Sequence, residues 1–313
     1  MTSPNLSEII TTTLRNRSRS LADNVSNHNP LLNRMRERGN MTLITGRDIV
    51  RELEYADNGT VAFYNGYEVL DTSPADVLSA AVFEYKQLAG NVTVSGLEQI
   101  KNSGEQAIIN LLEARIGNLE RSMENSLATS LFSDGTGTSS KEIGGLQLVV
   151  ADAGTGTVGG INSSTFTFWQ NKQATATSSA FSTTNIQSDM NSLYIQLVRG
   201  TDAPDLVVAG STPYTTFLAT LQTLQRVADS RLADLGFTAV KYLNSDVVYD
   251  SNCAASRMYF LNTNYLRLET AAGRDFVPGE AKESINQDAT VVPMFWSGNL
   301  TCSNRSLQGV LHT

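Results

Sequence analysis

The sequence predicts an α+β fold, and three observations carry that prediction. Between Ser103 and Leu131 the apolar residues Ile108, Leu112, Ile116, Leu119, Met123, Leu127 and Leu131 recur every three or four positions. That spacing keeps side chains on one face of a helix. Residues 47–94 read instead as extended strands broken by turn signals. Beyond about residue 184, helical and short β-rich runs alternate.

The helix is the element around which the chain is organised. Its other face carries Glu105, Glu113, Arg115, Glu120, Arg121 and Glu124. Ser103 and Gln106 fit a reciprocal cap, in which each side chain takes one orphan N–H. The stop is Asp134-Gly135-Thr136-Gly137. At a rise of about 1.5 Å per residue the helix is roughly 40 Å long. One apolar face on so long a helix leaves two readings: a surface helix lying across a sheet, or a spine running along a thin, extended domain.

Residues 1–46 are polar and rich in arginine, from Arg15, Arg17 and Arg19 to Arg34, Arg36 and Arg38. Leu6, Ile9, Ile10, Leu14 and Leu21 offer a helix face, and Pro30 reads as a break in the chain after it. Composition favours a disordered tail. The apolar stripe, which has no core of its own to enter, favours an arm docked on a neighbouring subunit or facing an anionic interior.

Residues 47–94 predict a long β-hairpin. Ile49, Leu53 and Tyr55 lead to Asp57-Asn58-Gly59, and Val61, Phe63, Tyr64, Tyr67, Val69 and Leu70 come next. Asp71-Thr72-Ser73-Pro74 is a second turn, and Val77, Ala81, Phe83 and Tyr85 run back. Residues 71–76 are the preferred tip over Asn58-Gly59. An isolated hairpin of this length is marginally stable, and no neighbouring sequence offers it a partner surface.

Val92-Thr93-Val94-Ser95-Gly96 is a short strand entering the long helix. After the helix, Ile143–Gln147 and Thr157–Ile161 bracket a Gly/Thr-rich loop, and Phe166, Phe168 and Trp169 close the region. Residues 171–184, rich in Thr, Ser and Ala, are a plausible boundary. Met190, Leu193, Tyr194, Leu197 and Val198 then mark a helix. Asp205–Ala209 is a buried-strand run, and Pro213 opens a helix carrying Phe217, Leu218, Leu221, Leu224 and Val227. Strands are expected near Phe237–Tyr242, Asp246–Tyr249 and Met258–Leu261. Ala289–Phe295, Asn299–Thr301 and Leu307–Leu311 complete the set.

Composition narrows the function classes. A hydrophobic content of 41% suffices for a core, and no apolar run is long enough to span a bilayer. The first residues lack an apolar signal-peptide core. A formal net charge of −8 does not suit a nucleic-acid binder, because phosphate attraction needs a basic surface. Charged residues make up only 17%, which fits a protein whose surface meets other copies of itself. Cys253 and Cys302 are the only cysteines and read as small buried hydrophobes in a reducing compartment. The Asn-x-Ser/Thr sequons at Asn5, Asn58, Asn91 and Asn299 carry no meaning without a signal peptide.

Enzyme motifs are largely absent. No Gly-Lys pair occurs, so there is no Walker-type phosphate loop. There is no GxSxG elbow, and the Gly-rich loops at 135–160 do not lead through GxGxxG into a helix. His28 and His312, the only histidines, lie near opposite ends, which disfavours a His-based triad or a zinc site. Asp202 and Asp205 bracket Pro204 and are a candidate carboxylate pair, although a turn before a strand explains them as well. Asp246 and Asp250 read as strand terminators. No catalytic, cofactor-binding or metal-binding residue is assigned.

The order of features carries a resemblance. A polar arm, a long hairpin, a strand and a long helix precede "IGGLQ" and "GTVGGI…FTFW". Then come "APDLVVAGSTPY", "GFTAVKYLNSDVVYDSN", "RMYFLNTNYLRL" and "QDATVVPMFWSGNLTCSNRSLQGVL". Over nearly its whole length the chain resembles the major capsid proteins of tailed bacteriophages, the Hong Kong 97-type fold. The resemblance implies an N-terminal arm at 1–46 and an extended loop at 47–94 lying over the next subunit. It implies a peripheral domain at 95–170 and 264–313, holding the long spine helix, and an axial domain at 171–263.

It also implies a non-enzymatic protein without cofactors. Its copies would form hexamers and pentamers of an icosahedral head around double-stranded DNA, assembled in the host cytoplasm. Portal and decoration proteins are expected partners, and a separate scaffolding protein or none. Some members weld the shell through a lysine on the extended loop. Here the first lysine is Lys86, far from the tip, so that chemistry is not expected. The alternatives are an encapsulin-like shell enclosing an enzyme, or a soluble α/β enzyme.

Overall fold

The computed structural model describes residues 29–101, 105–221, 240–284 and 287–313. Leu6–Leu21 and the helix continuation at Leu224 and Val227 lie outside the described residues.

Asn29 caps helix α1 (Pro30–Glu37), its Oδ1 accepting from the backbone N–H of Leu31 at 2.9 Å and of Leu32 at 3.1 Å. Pro30 therefore starts a helix instead of breaking one, because a fixed φ and a missing N–H suit the first helical position. Leu31, Leu32 and Met35 are fully buried in the main core. The described part of the expected arm is thus packed on its own subunit.

Strands β1 (Met41–Ile44), β2 (Ile49–Glu54), β3 (Leu78–Phe83) and β4 (Lys86–Ser95) come next. β2 and β3 pair antiparallel from Ile49 with Phe83 to Glu54 with Leu78. The hairpin is shorter than expected. Residues 55–77 form no strand, so Val61–Leu70 do not extend it.

β4 runs into helix α2 (Gly96–Lys101) and then the long helix α3 (Glu105–Ser130). The cap expected at Ser103 lies outside the described residues. A reciprocal cap stands earlier, at the start of α2. Glu98 N donates to Ser95 Oγ at 3.3 Å, and Ser95 N donates to Glu98 Oε2 at 3.2 Å. Arg115 of α3 grips the same carboxylate through both nitrogens, at 2.6 and 2.9 Å.

The Arg115 hydrogen bonds, helped by Ser95, hold Glu98 at about 2, down from 4.5. A depressed carboxylate contributes stability that is present above its unfolded value and lost as the pH falls. The difference in denaturation midpoint between wild type and Glu98→Gln is therefore expected in full above about pH 4.5 and to vanish near pH 2. Urea titrations across that window check it.

In α3, Ile116, Met123 and Leu127 are buried as the periodicity predicts, and so is Leu131 just past its end. Glu120, expected on the polar face, is also buried. The helix lies across β4, where Gly90 faces Leu119 and Met123. Gly145 sits where a Cβ would stand 2.6 Å from the carbonyl carbon of Leu131. That gap lets Leu146 N donate to Leu131 O at 2.7 Å, tying helix α4 (Leu146–Val149) to the end of α3.

The remaining strands and longer helices are β5 (Thr157–Val158), β6 (Ile161–Asn162), β7 (Lys172–Thr175), α5 (Ile186–Leu197), β8 (Leu206–Ala209) and α6 (Ser211–Thr220). Then come β9 (Val240–Tyr242), β10 (Ser245–Tyr249), β11 (Arg257–Leu261), β12 (Leu266–Ala271), β13 (Val277–Pro278), β14 (Lys282–Glu283), β15 (Ala289–Cys302) and β16 (Gly309–His312).

Two six-stranded sheets organise most of the strands, with β2–β3 and β5–β6 as separate two-stranded pairs. The first is built on β15, with β4 along one side and β12, β13 and β14 along the other; β1 extends it beyond β12. The sequence reading expects two strands here, Ala289–Phe295 and Asn299–Thr301, on either side of Gly298. The strand is continuous, and the missing side chain lets the Glu269 backbone lie against it. The second sheet has the order β7-β16-β11-β8-β10-β9. β7 lies inside the Thr/Ser/Ala stretch expected as a boundary. β16 returns from the C-terminal segment to pair with β11 and β7.

β8 shows why its sequence is a continuous apolar run. Val207 and Ala209 face the cluster under α5 and α6, while Leu206 and Val208 face the main core. A strand buried on both faces needs no polar alternation. The main core joins the sheets, bringing Tyr259 and Val310 of the second together with Leu268, Trp296 and Leu300 of the first.

Candidate assembly surface

The β2–β3 hairpin is held at its base, and the segment joining its strands is open. Gly159 and Gly160 both have positive φ, 58° and 75°, as a two-residue β5–β6 hairpin turn requires. A side chain on Gly159 would strike Ala81 of β3, and Val82 N donates to Gly159 O at 2.9 Å. Trp169, buried, donates its indole N–H to Val158 O at 3.0 Å. Ile49, Leu53, Ala81 and Phe83 pack on Val158 and Trp169 as a small separate core. The hairpin base thus finds a partner surface within its own chain, which the sequence did not reveal.

A charged contact also fastens the base, from the face of β2 that carries Ile49 and Leu53. Arg51 of β2 forms an ion pair with the buried Glu269 of β12, and its Nε lies 3.4 Å from Thr301 Oγ1 of β15. Burial, with Arg267 close by, lowers the Arg51 pKa.

The tip is different. Phe63, Tyr67 and Val69 are essentially fully exposed, Val61 is 83% exposed, and Tyr64 and Leu70 are more than half exposed. Its side-chain hydrogen bonds are local: Asn58 caps Thr60, Glu68 accepts from Asn65 N, and Asp71 accepts from Ser73 N. So many neighbouring exposed apolar side chains mark a surface that another molecule covers.

α1 carries the second fixed charge cluster. Arg34 stands 2.7 Å from Asp246 and 3.3 Å from Asp205, and Arg38 reaches Asp205 at 3.1 Å. Asp205 also accepts from Thr263 N and Oγ1, both at 2.7 Å. Removing a guanidinium from such buried carboxylates would cost on the order of 3 kcal/mol.

Asp202 and Asp205, the candidate carboxylate pair, have separate partners. Asp202 accepts from Tyr265 Oη at 2.6 Å, while Asp205 is neutralised by arginines. Asp246 lies within β10 instead of ending it, and Asp250 comes just after the strand. Cys253 and Cys302 are free and buried, and burial pushes both thiols up to about 12. His312 closes β16, and His28 lies outside the described residues. Among the described residues no group of three or more His, Cys, Asp or Glu side chains stands together as metal ligands. No helix among them is long and apolar enough to cross a membrane. Lys86 opens β4 and donates to Ser140 O at 3.0 Å.

Comparison with known proteins decides what this surface belongs to. The SU10 major capsid protein family matches residues 88–284, more than half of the chain. The chain belongs to the SU10 major capsid protein family. As a capsid protein it assembles with copies of itself, and its place is the virion shell.

Solved structures agree in fold. A chain of the Cyanophage A-1(L) capsid asymmetric unit superposes with a TM-score of 0.68 at 14% identity, covering 88% of this chain and 90% of that one. The capsid of Myoviridae Phage XM1 gives 0.55 at 12% identity, covering 89% and 91%. A chain of Mycobacterium phage Bobi gives 0.57 at 11%, covering 87% of each. The Hong Kong 97-type fold expected from the sequence is the fold of this capsid protein. Neither the encapsulin-like alternative nor the soluble enzyme is favoured. No curated protein matches the chain.

Proposed function

We propose that this capsid protein forms hexamers and pentamers of an icosahedral phage head that encloses double-stranded DNA. It acts without catalysis, in a shell assembled in the host cytoplasm. The observation that carries the reading is the exposed apolar tip of the extended loop, Val61–Leu70, anchored at its base and uncovered by its own chain. In the proposed division residues 1–46 are the arm, 47–94 the loop, 95–170 and 264–313 the peripheral domain, and 171–263 the axial domain. In this division β16 crosses back to complete the axial sheet.

A net charge of −8 suits a container that does not grip phosphates while DNA enters and leaves. Scaffolding, portal and decoration proteins are candidate partners. Negative-stain electron microscopy of the purified protein tests the reading. Closed shells or capsomers are expected, and a strictly monomeric species with scaffold present and at every salt concentration would overturn it.

The arm has its own test. Leu31, Leu32 and Met35 belong to the core, so an arm deletion must stop before Asn29. Removing residues 2–28 is expected to leave a folded subunit that closes into aberrant shells. Normal closed shells would show that this segment has no part in closure.

A further inference from the structure

Three places in the chain set a glycine directly after an Asn or Asp: Asn58-Gly59, Asn65-Gly66 and Asp134-Gly135. At each, the glycine's peptide nitrogen is the nearest backbone nucleophile to the preceding side-chain carbonyl carbon, and no Cβ shields it. Their surroundings differ.

Asn58 and Gly59 are exposed and belong to no strand or helix, and a Cβ on Gly59 would meet nothing within 4 Å. Asn58 Oδ1 accepts from Thr60 N at 3.0 Å and from Thr60 Oγ1 at 2.8 Å. The first bond closes a turn whose ring contains both Asn58 Cγ and the Gly59 nitrogen. Two donors on one oxygen draw charge from Cγ and stabilise the negative charge that forms on Oδ1 when a nucleophile adds. The Gly59 N–H has no partner among the described residues.

Asn65-Gly66 is also exposed, but there the Asn65 backbone makes the bonds, its N–H to Glu68 Oε2 at 3.0 Å and its carbonyl from Glu68 N at 2.9 Å. Its Oδ1 receives none among the described residues. Asp134 repeats the Asn58 turn, with Thr136 N at 2.9 Å and Thr136 Oγ1 at 2.7 Å. Those bonds hold its carboxyl below the usual carboxylate range, so it stays ionised and is a poor electrophile. Gly135 N is also engaged, by Ser133 Oγ at 3.2 Å.

We propose that Asn58-Gly59 is a self-modifying site, at which the chain converts its own asparagine into aspartate and isoaspartate. Hydroxide removes the Gly59 amide proton, and the nitrogen attacks Asn58 Cγ. The N–Cγ bond forms, the Cγ–Nδ2 bond breaks, and Nδ2 takes a proton from water and leaves as ammonia. Water then opens the cyclic imide. Opening at Cγ leaves an aspartate at position 58, and opening at the backbone carbonyl leaves an isoaspartate, with one extra methylene in the main chain. Either product adds a carboxylate to the stretch between Arg51 and Lys86, which already holds seven and has no Lys, Arg or His to offset it.

Peptide mapping by mass spectrometry tests this on the purified full-length chain, sampled over time in mildly acidic and mildly basic buffer. Electron-transfer fragmentation separates isoaspartate from aspartate, and Asn65 is the internal control. Asn58 is expected to convert at least about threefold faster than Asn65, and faster in the basic buffer, while Asp134 stays unchanged. Thr60→Val keeps the N–H donor and removes the hydroxyl. It is expected to slow Asn58 about threefold, the worth of one hydrogen bond, and to leave Asn65 unaffected. Thr60→Ser, which keeps both donors, is expected to preserve the rate. An Asn58 that stays intact, converts no faster than Asn65, or ignores Thr60→Val would overturn the proposal.

Discussion

The triple variant Phe63→Ser, Tyr67→Ser, Val69→Ser is expected to fold normally and to fail to assemble. All three side chains are essentially fully exposed in the subunit, so the fold loses no packing. The shell loses burial worth at least about 1.5 kcal/mol for each side chain. The total, a little over about 4 kcal/mol per contact, corresponds to a rise of about a thousandfold in the concentration needed for association. Unchanged circular dichroism and thermal midpoint, with particles absent from sedimentation profiles, would confirm the expectation. Normal shells at ordinary concentrations would mean that the tip is not a contact surface.

Arg305→Leu is expected to act in the opposite way, by unfolding the subunit. Arg305 is fully buried without a carboxylate partner among the described residues. Its guanidinium donates to Val149 O at 2.7 Å, Trp169 O at 3.1 Å and Asn171 Oδ1 at 3.0 Å. These acceptors come from α4, from the loop under the hairpin base and from the residue before β7. Burial lowers the Arg305 pKa from 12.5 to about 10, so it remains charged at neutral pH and its worth lies in the hydrogen bonds.

Leucine supplies apolar volume but leaves those acceptors without a donor, at about 1–3 kcal/mol each. A loss of at least about 3 kcal/mol is expected in urea denaturation. Lysine is expected to restore little, because an ammonium cannot reproduce the planar fork. A stability change below about 1 kcal/mol would show that the acceptors find other donors.

Much of this capsid protein was legible before its structure. The period of the long helix placed Ile116, Met123, Leu127 and Leu131 on the buried face, and all four are buried. The uninterrupted apolar run at 206–209 announced a strand covered on both sides. The exposed loop residues were visible as an apolar stretch with no local partner. Glu120 is the exception: its place on the helical wheel faces solvent by periodicity, and it is buried. Periodicity describes one element and says nothing about what is laid against its flank.

The sequence by itself determined the local elements, because helical period, strand alternation and turn residues act within a few positions of the chain. The tertiary structure alone decided how those elements meet. Arg34 reaches Asp205 and Asp246 across 171 and 212 positions. Gly298 continues a strand because the Glu269 backbone needs the space. β16 completes a sheet begun at Lys172, and the hairpin base rests on Val158 and Trp169. Each of these is a contact between distant segments, set by packing and by the compensation of buried charge, which no local pattern encodes.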